Sequence, residues 1–213
     1  MERLIVSHAR IIERDAVLDD YSLISEDGRI AGLLSSKGLN TEGKEGLLID
    51  AQGRYLVPGF IDLHIHGFKG KLIDHGVEDL AAICRELSSH GVTAFLPAVT
   101  PGENECGLLR NLSAAKTTGA EVLGFLLEGH FLKLTGAIRG MINEYSPKRV
   151  EALKKAMGAK RGVFGISPEI PGILSLLPLM REGGAPAFIT HTDASYEETE
   201  MAIEAGARHA THF

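Results

Sequence analysis

From residue 55 onward the chain repeats one unit: a short apolar run, a segment of helical periodicity, then another apolar run. This is the pattern of strand–helix–strand units, in which successive strands lie parallel and a helix covers each return. The apolar runs fall at 59–66, 93–98, 122–128, 163–167, 187–191 and 210–213. The helix-period segments fall at 78–90, 103–117, 147–156, 170–182 and 196–205, several opened by capping or proline signals. Residues 1–55 differ. They carry short strand-like runs at 4–6, 11–12 and 21–24, with Glu26-Asp27-Gly28 as a hairpin-type turn. The expected division is therefore a β portion over 1–55 and an α/β portion over 56–213.

Repeated parallel units close most readily into a (β/α)8 barrel, which typically takes about 250 residues. Only six strand units follow the β portion here, and the last of them includes Phe213. An apolar strand that still needs a neighbour is a poor terminus for a domain, because its open edge invites aggregation. The 213 residues are accordingly expected to be the front part of a longer chain.

Charge and hydropathy narrow the partners. With 28 acidic against 22 basic residues the formal net charge is −6, and no stretch gathers Lys and Arg into a stripe that could follow a phosphate backbone. No nucleic-acid partner is expected. The opening Met1-Glu2-Arg3-Leu4 mixes charge into its apolar residues too early for a secretory leader, and no later run reaches the length of a membrane span. We expect no membrane partner and a cytoplasmic location. Cys84 and Cys106 lack the close pairing of a zinc knuckle and read as free thiols.

The chemistry gathers at strand ends. In Pro58-Gly59-Phe60-Ile61-Asp62-Leu63-His64-Ile65-His66-Gly67, period two puts Asp62, His64 and His66 on one face, so two imidazoles point to one place. In a barrel of parallel strands, functional groups collect at the C-terminal strand ends, where His64 and His66 fall. The run at 122–128 ends in Glu128, a carboxylate after a nearly continuous apolar stretch, which must be solvated, paired or metal-bound. The run at 187–191 ends in His191, and the final run carries His209 and His212. Taken singly, each of these has an ordinary structural explanation; their recurrence at successive strand ends points to a mixed nitrogen–oxygen set for one or two divalent ions. Zinc suits it best, and iron, manganese or cobalt suit it too.

These residues also carry a family resemblance that runs along most of the chain. Leu56 through Gly67 resembles the first metal strand of the amidohydrolase superfamily. Gly91-Val92-Thr93-Ala94-Phe95-Leu96-Pro97-Ala98, Leu127-Glu128-Gly129 and His191-Thr192-Asp193-Ala194-Ser195-Tyr196-Glu197-Glu198, with Ala202 through His212, resemble the N-acetylglucosamine-6-phosphate deacetylases within it. The resemblance implies a (β/α)8 barrel with a small β-sandwich, and metal-dependent removal of the acetyl group from an amino-sugar phosphate in amino-sugar catabolism. It implies His64, His66, Glu128, His191 and His212 as metal ligands, a homodimeric full-length protein, and a catalytic aspartate beyond Phe213. His209 would be a neighbour of the ligands.

Two departures fall near the substrate region. His130 stands where the family usually has proline after Glu-Gly, and Ala137-Ile138 lies near the position of a substrate-contacting histidine. Ala137 is the candidate substrate contact; His130 reads as a surface or supporting residue. Two alternatives remain open at this point: an amidohydrolase acting on another N-acyl or cyclic amide, and a non-catalytic truncated homologue.

Overall fold

The computed structural model describes residues 2–39, 46–134, 136 and 145–212. The chain divides into two compact units, Met1–Gly59 and Phe60–Phe213. The first is a five-stranded sheet. Strands β1 (Arg3–Ile12), β2 (Val17–Glu26) and β3 (Arg29–Ser35) form an antiparallel meander, while β4 (Leu47–Asp50) and β5 (Tyr55–Leu56) run parallel to β1. The runs read separately at 4–6 and 11–12 are the two ends of one ten-residue strand, β1, and the run at 21–24 lies inside β2. The polar residues between and beside these runs pair as well, because backbone groups must find partners whatever the side chain. The turn between β2 and β3 is Asp27-Gly28, both with positive φ (49° and 75°), the backbone of a tight hairpin. Val6, Ala9, Ile11 and Ala51 form this unit's own core.

The second unit opens with β6 (Phe60–Ile65) and a small antiparallel pair, β7 (Gly67–Phe68) with β8 (Lys71–Leu72). Helix α1 (Val77–Ser88) leads to β9 (Val92–Val99), and α2 (Glu105–Ala114) leads to β10 (Glu121–Val122) and β11 (Gly124–Phe131). Helix α3 (Pro147–Met157) precedes β12 (Arg161–Ile166), a single helical turn α4 (Leu177–Met180) precedes β13 (Ala187–Ile189), and α5 (Tyr196–Ala205) precedes β14 (Ala207–Ala210). The strands pair in parallel and in chain order: β6 with β9, β9 with β10 and β11, then β12, β13 and β14. Among the described residues this is a run of six parallel positions, β10 and β11 occupying one of them, with helices in the connections.

Two expected elements differ. The helix read over 170–182 is a 3₁₀ turn over Ile173–Leu176 followed by α4 alone. Gly172, left-handed at φ 80°, delays the start, and Pro178 lacks the N–H that a continuous helix through this point would need. The last strand lies at Ala207–Ala210 rather than 210–213, because α5 stops at Gly206 with left-handed backbone (φ 114°) and the chain enters the sheet at once. His212 consequently sits just past a strand end.

Strand alternation sorts the core into two layers. Phe95, Val99, Phe125, Leu127 and Phe164 pack in the large cluster that includes helix residues Leu80, Leu112 and Leu153. Leu96, Ala98, Leu126, Val163 and Phe188 form a second cluster on the opposite face of the sheet. Glu128 is two residues from Leu126, so period two carries it onto that second, concave face. Helix α5 is held by a capping box, Ser195 accepting from Glu198 N while the Glu198 side chain accepts from Ser195 N.

Candidate metal centre

Glu128 sits in β11 just past Leu127, where the regular pairing with β12 is interrupted, with 1% of its surface exposed. One carboxylate oxygen, Oε2, lies 2.9 Å from His64 Nε2 and 2.6 Å from His66 Nε2. The other, Oε1, lies 3.1 Å from His191 Nε2 and 3.8 Å from His212 Nε2. Each oxygen thus faces its own pair of imidazoles. The Nε2 atoms of His64 and His66 are 3.2 Å apart, and the His212 ring is 5.0 Å from that of His64 and 5.1 Å from that of His191. Ligand atoms of His64, Glu128 and His212 all fall within 4.8 Å of one another.

The two pairs are placed differently. His64 lies in β6 and His66 follows the strand's end, so strand periodicity brings them together, and Asp62 Oδ1 accepts the His64 backbone N–H at 3.0 Å. His191 and His212 follow two different strands, β13 and β14, and both have left-handed backbone (φ 47° and 61°). That conformation is uncommon for a residue with a side chain, and such strain collects at functional sites. Thr190, 2% exposed, donates its hydroxyl to Glu128 Oε1 at 3.4 Å.

Burial alone would push the Glu128 carboxyl up. The hydrogen bonds and charge of His64 and His66 outweigh it and hold the group far below the ordinary carboxylate range. His212 is held below the usual imidazole value, by burial first and by the neighbouring His64 second, against the pull of Glu128. A carboxylate kept ionised and an imidazole kept neutral are the protonation states a cation requires.

All five residues expected as metal ligands converge here. His209 does not; its ring packs on Phe188 with centroids 4.2 Å apart. His130 corrects the sequence reading in part: it is wholly buried, not on the surface, with Nε2 3.2 Å from Glu105 Oε2 on α2, and Glu105 in turn pairs with Arg149 on α3 at 2.8 Å. The cause is Gly129, whose φ of 94° breaks the strand register after Leu127 and turns the next side chain away from Glu128. Ala137 and Ile138 lie outside the described residues. Sequence reasoning missed three polar residues that support the site, namely Thr190, Ser167 and Glu169. The signal available was Ser167-Pro168-Glu169, polar residues placed where the apolar run of β12 stops.

Residues 55–213 match the amidohydrolase family. The chain is similar to N-acetylglucosamine-6-phosphate deacetylase of Lysinibacillus sphaericus, 27% identical over 98% of this chain and 55% of the relative. It is also similar to the Caenorhabditis elegans deacetylase of the same name, 32% identical over 77% of this chain and 43% of the relative. The crystal structure of N-acetylglucosamine-6-phosphate deacetylase from Pasteurella multocida superposes with a TM-score of 0.82 at 24% identity, over 99% of this chain and 56% of that one. The chain spans about half the length of the curated relatives it matches.

Proposed function

Because the chain belongs to the amidohydrolase family, with the β/α-barrel type of fold and a separate N-terminal sheet, we propose that its full-length protein hydrolyses the acetamide of N-acetylglucosamine-6-phosphate, releasing acetate and glucosamine-6-phosphate in amino-sugar catabolism. The observation that carries the reading is the buried Glu128 carboxylate with a histidine pair on each oxygen. The donor set fits a divalent cation, being four imidazoles and one ionised carboxylate at the strand ends of a parallel sheet. His64, His66, Glu128, His191 and His212 would hold one or two such ions, zinc first among the candidates and iron, manganese or cobalt also compatible. When bound, the ion supplies Lewis-acid polarisation of the acyl oxygen and a water of lowered pKa.

The chain's own residues contribute position and charge. Glu128 stays ionised and His212 neutral, so no proton has to leave these two groups before a cation is taken up. Thr190 fixes the carboxylate's rotation through its hydrogen bond to Oε1. We assign the proton-handling carboxylate to a residue outside these 213, and the amino-sugar phosphate, the homodimer and the cytoplasmic location to the full-length protein. Among the described residues no helix is long and apolar enough to cross a membrane.

The test is acetate release from N-acetylglucosamine-6-phosphate by the full-length protein, with metal content measured on the same sample. Release that stops on chelation and returns with added metal is expected. Tightly bound metal with no acetate released would overturn the substrate assignment.

A further inference from the structure

His191 is a ligand candidate with left-handed backbone, and residues of the turn after β12 hold the chain on both sides of it. Its left-handed conformation aims the ring at Glu128 Oε1, 3.1 Å away. Its carbonyl oxygen receives the Ser167 hydroxyl at 2.9 Å and the Leu134 N–H at 3.3 Å. The same hydroxyl reaches the Thr190 carbonyl at 3.2 Å and accepts the Lys133 N–H at 2.8 Å, so one buried oxygen ties together the chain after β11, β12 and β13. On the far side of His191, Glu169 Oε2 accepts the Thr192 hydroxyl at 2.5 Å and Oε1 accepts the Asp193 N–H at 2.9 Å. Thr192 Oγ1 in turn accepts the Ala194 N–H at 2.9 Å. Ser167 and Glu169 thus supply four of the hydrogen bonds that fix the 190–193 segment, beside those from Leu134, Ile166 and Glu128.

We propose that the Ser167-Pro168-Glu169 turn is a clamp for His191, in which Glu169 acts as a positioning residue for the metal centre. The inference rests on the reading of the site as a metal centre and does not depend on the substrate. Ser167 holds the carbonyls of the peptides on both sides of His191, and Glu169 holds the two residues after it. The ring is thereby kept on the carboxylate although a left-handed histidine would relax elsewhere if released. Pro168 joins the two arms with a fixed φ, so they are set relative to each other before any ligand arrives. Partners of this kind orient ligands and typically affect metal affinity by about 10–100-fold.

The experiment uses the full-length protein with zinc titrated against a competing chelator, and with cobalt as a spectroscopic probe of ligand geometry. Glu169→Ala should weaken zinc binding by about 10–100-fold and change the visible cobalt spectrum. Glu169→Gln should restore most of both, because the amide oxygen still accepts from Asp193 N and the amide nitrogen can meet the Thr192 oxygen. A folded Glu169→Ala protein with wild-type zinc affinity and cobalt spectrum overturns the clamp, as does a Gln variant that loses as much as the Ala one. If Glu169→Ala does not fold, Thr192→Val removes one of the two contacts of Glu169 and leaves the one to Asp193 N. A smaller loss in the same direction supports the clamp, and no loss overturns it. A wild-type protein that binds metal but releases no acetate removes the deacetylase reading and leaves the clamp to be judged on these titrations. A wild-type protein that binds no metal overturns both.

Discussion

The two histidine pairs around Glu128 reach the same carboxylate by different physics. His64 and His66 belong to one strand end, where period two delivers both rings with no left-handed backbone. His191 and His212 come from two strands, each through a left-handed residue, and His191 leans on a clamp built by a third strand end. A pair on one strand is organised as soon as that strand forms. A pair on two strands is organised only when the sheet around it has formed, and part of the folding energy is held as backbone strain. The first pair is therefore a local property and the second a property of the fold.

The largest way to test this comparison is to remove what the pairs share. Glu128→Ala takes the common partner from all four imidazoles, and we expect metal content to fall to background, a loss beyond the ~10–100-fold that supporting residues alone cost. Elemental analysis of the folded variant reads it directly. Unchanged stoichiometry would mean that the histidines bind without the carboxylate, and the division into two pairs facing two oxygens would lose its meaning.

A smaller effect separates the pairs by sign. At His191, with φ at 47°, a glycine is free of the roughly 1–2 kcal/mol that a Cβ costs in left-handed backbone. The metal-free His191→Gly protein should thus be more stable than His191→Ala by about that amount. At His64, inside a strand, the order reverses: glycine should be less stable than alanine by about 0.5–1 kcal/mol. Denaturant unfolding of the four variants measures both differences. The same sign at both positions would remove the strain argument.

Legibility in the sequence follows the same line. The His-x-His strand could be read from seven or eight residues, because strand periodicity alone aligns its side chains. Glu128 could be read from an apolar run ending in a charge. His191 could be read as a candidate from the end of an apolar run, whereas the choice of His212 over His209 came from resemblance, since no periodicity announces a left-handed residue after a strand. The barrel order was legible in the alternation of runs, while the last strand was misplaced by three residues because the helix stop at Gly206 leaves no loop. Of the two readings of His130, surface or supporting, the surface one fails for a related reason: one glycine with φ of 94° cancels the alternation that would otherwise fix its direction, and the side chain is buried. Ser167 and Glu169 could not be assigned, because what they bind lies more than twenty residues away in sequence.

The smallest effect lies in the titration of His212. Burial and the neighbouring His64 lower its pKa from the ordinary 6.5, and Glu128 opposes them without prevailing. A folded pKa below the unfolded one means that the unfolded chain takes the proton first. The stability His212 contributes is then complete above pH 6.5 and is lost as pH falls through its lower folded value. In the metal-free protein, the His212 ring proton followed by NMR should show a midpoint below 6.5, with His212→Gln identifying the resonance. A midpoint at or above 6.5 would mean that Glu128 dominates this ring, as an ion pair would require, and that the imidazole enters the site charged. A depressed midpoint instead leaves the nitrogen lone pair free at neutral pH, so the ring reached through the strained backbone of β14's end is ready for a cation before one arrives.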